Sequence, residues 1–118
     1  MTVDSAETNA ATPPEPVHVD GRSDLDTIVE ANDIVLVDFY ADWCGPCRML
    51  EPVVETLAAD TEAAVAKVDV DANQRLADAH GVRGVPTLAL FADGEQVEEV
   101  VGVQSEDRLR SLIDRHAE

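Results

Sequence analysis

The run Ile34–Tyr40, IVLVDFY, constrains the fold more than any other stretch of this 118-residue chain. Its positions are almost all β-branched, apolar or aromatic, so it offers no polar face to water and must be covered on both sides as a strand. From Cys44 to about Asp60 the pattern turns helical, with Leu50, Val53, Val54 and Leu57 on one face. Pro52 lies inside that helix and is expected to kink it. Ala63–Val70 (AAVAKVDV) reads as a second buried strand, and Asn73–His80 as a short helix ended by Gly81. Thr87–Phe91 and Gln96–Gly102 flank the turn ADGE, a hairpin signature. Ser105 can cap a last helix, EDRLRSLIDRH, whose acids come first and whose arginines extend to its end, as the helix dipole favours. Upstream, Val17–Val19 suits a short edge strand. Ser23, with Asp26 three residues on, marks a helix running to about Ala31. The order β-α-β-α-β-α-β-β-α predicts an α/β domain: a central mixed sheet of four to five strands flanked by helices on both faces. There is no internal repeat.

Charge narrows the possible partners. Asp and Glu number 25 against 8 Lys and Arg, a net charge of −17 and a pI near 4.2. Phosphate backbones and anionic bilayers need a basic footprint, so neither nucleic acid nor a membrane surface is an expected partner. No stretch approaches the length of a membrane span. Residues 1–16 hold few apolar side chains and read as a disordered acidic, Pro-containing tail, leaving one domain over 17–118. The start has neither basic residues nor an apolar core, which points to a cytoplasmic protein rather than a secreted one. The chain shows no sign of an obligate oligomer, and a monomer is expected.

The two cysteines, Cys44 and Cys47, sit where the first buried strand gives way to the helix. A zinc site needs three or four ligands, and His18, His80 and His116 have no ligand spacing with the pair, so no metal is expected. Two inert thiols would pack as small hydrophobes. Spacing i, i+3 in a first helical turn, however, brings both sulfurs to one face, within reach of a disulfide. Gly45 and Pro46 suit that turn, since Pro needs no N–H there. Free amides and the positive end of the dipole favour a thiolate at Cys44, the attacking species in disulfide exchange. Cys47, a turn deeper, is expected to be less exposed and to resolve the mixed disulfide.

Asp38 is the one acid in the apolar strand. It either reaches water at a strand end or is buried with a raised pKa, as a base able to accept the proton of Cys47. Lys67, the only lysine, stands on the next strand as either a partner of Asp38 or a solvated residue.

VDFYADWCGPC (Val37–Cys47), AKVDVD (Ala66–Asp71), GVRGVPTLALFADGE (Gly81–Glu95) and VVG (Val100–Gly102) together resemble the thioredoxin family over about Ser23–Ala117. The resemblance implies the thioredoxin fold and a protein-disulfide reductase. Cys44 would be the nucleophile, Cys47 the resolving thiol, Asp38 the proton acceptor and Lys67 its partner. It also implies a cis bond before Pro86, pairing of Val85 with an incoming peptide, and a substrate patch of Trp43, Gly45, Pro46, Gly84, Val85, Pro86 and Gly102. No cofactor would be bound, and reducing equivalents would come from a thioredoxin reductase carrying flavin, the partners being client proteins with disulfides. Two other functions remain open: a disulfide isomerase or oxidant, and a binding subunit with dispensable thiols. Tyr40 departs from the family pattern, which usually has Trp there.

An acidic, lysine-poor surface on an otherwise ordinary domain suits concentrated salt, where charge repulsion is screened within a few ångströms. The melting temperature is therefore expected to rise between about 0.1 M and 3 M KCl. A flat curve over that range, followed by circular dichroism, would remove the halophilic reading.

Overall fold

The structure is a computed structural model that describes residues 12–117. Its nine elements follow the expected order: β1 Val17–His18, α1 Gly21–Ala31, β2 Ile34–Tyr40, α2 Gly45–Asp60, β3 Ala64–Asp69, α3 Gln74–Ala79, β4 Thr87–Ala92, β5 Glu95–Val101 and α4 Glu106–His116. One five-stranded sheet has the order β1-β3-β2-β4-β5. The first three pair in parallel, and β4 and β5 run antiparallel to complete a mixed sheet. Strand β2 lies at the centre and is buried from Ile34 to Phe39, as its lack of a polar face requires.

Alternation along the strands divides the core in two. Ile34 and Leu36 join Val65, Leu88 and Leu90 beneath α2 and α4, where Leu50, Leu57, Leu109 and Ile113 pack. Val35, Val37 and Phe39 face the other way, with Ala66, Val68 and Phe91, beneath Leu25 and Ile28 of α1 and Leu76 of α3. Asp38 belongs by parity to the α2 side, one step beyond Leu36.

Element ends differ from the expected ones at particular places. Helix α1 begins at Gly21 after Asp20, not at Ser23. The reason is tertiary: the Gly21 amide donates to Asn73 Oδ1 at 2.8 Å, an acceptor 52 residues away that local pattern could not supply. Asp24 Oδ2 accepts from the Asp20 amide, so an acid still neutralises the first turn. Strand β1 is shorter than Val17–Val19, although the Val19 amide still donates to the Lys67 carbonyl. Helix α2 runs through Pro52 to Asp60. Ser105 caps α4 as expected, its Oγ accepting from the Arg108 amide. The hairpin turns through Asp93 and Gly94, both at positive φ, which suits the right-handed twist of its strands. Of the expected tail 1–16, residues 1–11 lie outside the described residues. Thr12 Oγ1 donates to Asn32 Oδ1 at 3.2 Å.

Candidate active site

Strand β2 ends at Tyr40, and four residues later α2 begins with Cys44 as its N-cap. Cys44 and Cys47 form a disulfide, with Cα atoms 5.2 Å apart, across the first turn of the helix. Pro46 occupies the position where a helix has no use for an N–H. The Cys47 amide donates to Cys44 Sγ at 3.1 Å, so one of the free amides of the turn points at this sulfur. The same Sγ lies 3.7 Å from the Val85 carbonyl oxygen. Helix end, amide and dipole thus all favour negative charge on Cys44 once the disulfide is opened. Overall exposure does not separate the two cysteines as expected: Cys44 is 4 % and Cys47 3 % exposed. The oxidised pair shares one contact cluster with Ala41, Tyr40, Val70 and Val85. Hydrogen bonding distinguishes the sulfurs instead.

The residues expected to form a substrate patch are brought together by three separate segments. Trp43 is 68 % exposed beside Cys44, with Gly45 and Pro46 also exposed. Gly84 is exposed, Val85 half-buried and Pro86 buried, and the Val85–Pro86 bond is cis. Gly102, at positive φ, donates its amide to the Pro86 carbonyl at 2.8 Å, holding the start of β4 and the end of β5 together. A Cβ built on Gly45, Gly84 or Gly102 would meet no heavy atom within 4 Å, so this face is open. A groove of about 360 Å³ runs between Trp43, Val70, Val82, Gly84 and Val85.

Several residues here escaped sequence reasoning. Asp71 accepts from Trp43 Nε1 at 2.8 Å and fixes the indole over the groove. Met49, Val101 and Val103 are large exposed apolar side chains on the segments that bear Cys47 and Gly102. Only an isolated Asp and three ordinary apolar residues mark them in the chain, and no local signal could have found them.

Asp38 is fully buried, and neither carboxylate oxygen has a hydrogen-bond partner. Of the two open readings, burial holds. Burial pushes its pKa up from 3.8 to about 6; the Lys67 charge pulls it down and Glu51 pushes it further up. Lys67 stands in register beside Asp38 on β3. Its ammonium nevertheless bonds Glu51 Oε2 at 3.3 Å and lies 4.4 Å from the Tyr40 ring centroid. Glu51 is thus a further site residue that no motif indicated. Among the described residues no group of three or more His, Cys, Asp or Glu could hold a metal. His80 sits between the Phe39 and Phe91 rings.

Comparison with known proteins matches this geometry to one family. The family model described as Thioredoxin matches residues 16–115. The thioredoxin of Chlamydia muridarum is 51% identical over 87 residues, covering 73% of this chain and 85% of that one. The thioredoxin of Staphylococcus aureus is 47% identical over 96 residues, covering 80% and 91%. Among solved structures, a mutant thioredoxin from Halobacterium salinarum NRC-1 superposes with a TM-score of 0.89 at 68% identity, covering 91% of this chain and 95% of that chain.

The Asp38 shift has a consequence for stability. Because the folded pKa is raised, the fold holds the proton more tightly than the unfolded chain does. The stabilisation is complete below about pH 3.8 and is lost as pH rises through about 6. The loss amounts to about 3 kcal/mol at about 1.4 kcal/mol per pKa unit. Urea unfolding of the oxidised protein should show Asp38→Asn gaining that amount relative to the parent between pH 4 and 8. A pH-independent difference would mean that the carboxyl does not titrate as its burial requires.

Proposed function

The chain belongs to the thioredoxin family and is a thiol-disulfide oxidoreductase that reduces protein disulfides; from that premise we propose how its residues divide the work. The observation that carries the division is the Cys47 amide donating to Cys44 Sγ at the start of α2. Cys44 is the nucleophile. Its thiolate attacks one sulfur of a client disulfide, that S–S bond breaks, and the second client sulfur leaves as a thiolate that takes a proton. A mixed disulfide now joins client and Cys44. Cys47 then gives its proton to Asp38, and its thiolate attacks Cys44 Sγ. The client departs reduced by two electrons, and the Cys44–Cys47 disulfide holds the equivalent oxidation.

The client lies along Val85, its backbone paired by strand addition, with Trp43, Gly45, Pro46, Gly84, Pro86 and Gly102 as its apolar floor. Backbone and small apolar contacts ask little of the client's own side chains, which suits many protein substrates. The open space over Gly45, Gly84 and Gly102 supports this reading, because peptide backbone could approach there without a clash. Lys67 acts on Asp38 by its charge rather than by a direct bond.

Several finer features belong to the same proposal. The domain spans 17–118 and works as a monomer in the cytoplasm. A thioredoxin reductase carrying flavin and using a nicotinamide nucleotide returns it to the dithiol. No helix of the described residues is long and apolar enough to cross a membrane. Its acidic surface is an adaptation to concentrated salt; the net charge of −17 and the likeness to the Halobacterium salinarum protein support that.

Cys47→Ser, with Cys44 intact, is expected to accumulate a client-linked adduct on a non-reducing gel, whereas Cys44→Ser should form none. Trapping through the other cysteine would reverse the roles. In the same assay, Asp38→Asn should slow release of the adduct more than its formation. Equal slowing of both steps would remove Asp38 as the proton acceptor.

A further inference from the structure

A lysine placed in register beside a buried carboxylate would ordinarily bond it. Lys67 does not. Asp38 and Lys67 are partners on parallel strands β2 and β3, yet both oxygens of Asp38 are without a hydrogen bond. The Lys67 ammonium turns to Glu51 Oε2, 3.3 Å away, on the second turn of α2. The Glu51 side chain is 49% exposed and that of Lys67 9%. Both line a cleft of about 570 Å³ whose other walls include Pro14, Pro16, His18 and Tyr40.

Solvation explains the choice of partner. Pairing with Asp38 would draw the ammonium fully into the core, where desolvating both ions costs several kcal/mol. Pairing with Glu51 leaves one partner in water, and the Tyr40 ring covers the ammonium from the side. The exposed carboxylate therefore wins the cation, and the buried one is left unpaired.

We propose that Glu51 is a positioning residue for disulfide exchange: by holding the Lys67 ammonium at the cleft, it keeps Asp38 out of an ion pair and free to take a proton from Cys47. A carboxylate bonded to an ammonium is held in its ionised form and is a poor proton acceptor. The charge of Glu51 itself acts in the same direction. Few other groups bear on Asp38. Lys67 from β3 and Glu51 from α2 carry the charges that act on it, and Tyr40 stands two residues on along its own strand. His18 on β1 lies beyond Lys67 in the sheet, and Asp42 follows β2. Strand β4 places Leu88 opposite Asp38, and α4 contributes Leu109, Leu112 and Ile113, all apolar.

This inference rests on Asp38 being the proton acceptor, and its test separates the two claims. The Asp38 carboxyl is titrated by carbon NMR in the oxidised full chain, in the parent, Glu51→Gln, Lys67→Gln and the double variant. Resolution is followed in the parent and Glu51→Gln, from pH 5 to 9, as the absorbance of a small aromatic thiol released from a preformed mixed disulfide on Cys44. Glu51→Gln is expected to lower the Asp38 midpoint by about one pH unit, since the freed ammonium can then reach it. In the Lys67→Gln background the same substitution should move the midpoint far less. The midpoint of the rate profile should fall together with that of the carboxyl. An unmoved Asp38 midpoint in Glu51→Gln would overturn the proposal, as would an equal shift with and without Lys67. A moved midpoint with an unmoved rate profile would leave the hold of Glu51 on Asp38 standing and remove Asp38 as the acceptor.

Discussion

Burial of β2 on both faces is the constraint from which the rest of the structure follows. A strand with no polar side needs a cover on each face, and α2 with α4 supplies one while α1 with α3 supplies the other. Its central position fixes which residues meet across the sheet: Lys67 beside Asp38 from β3, and Leu88 opposite it from β4. The same strand delivers the chain at Tyr40 to the place where α2 must start if its apolar face is to lie back on the sheet. The cysteines sit at that joint, and their chemistry depends on how firmly the joint is held.

Two electrostatic environments lie within a few residues of each other. At the helix start, an amide directed at Cys44 Sγ favours negative charge there. Six residues earlier in the chain, Asp38 lies opposite Leu88 in the sheet and resists ionisation because it is buried and no hydrogen bond compensates the charge. The proposed two-step exchange draws on both, a sulfur that readily loses a proton and an acid that readily holds one. The outer surface adds a third condition. The chain carries a net charge of −17, while Trp43, Val70, Val82 and Val85 give the groove beside the cysteines an apolar lining, which suits the proposed holding of a client by backbone and apolar contacts.

The parts of the fold legible in the chain were those governed by local rules. The strand at Ile34, the Ser105 cap, the Gly81 helix stop and the Asp93–Gly94 turn depend on neighbouring residues alone, and the structure has each of them. Helix α1 starts earlier than its local pattern indicates because its first amide is satisfied by Asn73, and chain proximity carries no trace of that bond. The same holds at the site. Cys44, Gly45, Pro46 and Cys47 form one contiguous motif, whereas Asp71 and Glu51 act through side chains reaching across segments. The family resemblance brought Val85, Pro86 and Gly102 into view, which spacing by itself would not have done.

What the chain determined unaided was the alternation of buried strands and amphipathic helices and the pairing of two thiols in one helical turn. Both are set by periodicities of two and 3.6 residues, which are properties of the backbone. What the tertiary structure decided was the environment of each ionisable group. Asp38 could have been a solvated strand end or a buried carboxyl, and only the packing of α2 over β2 made it the latter. Lys67 could have paired with it, and only the nearness of an exposed Glu51 drew the ammonium away. Proton affinity depends on desolvation and on charges within several ångströms, and folding alone sets those distances.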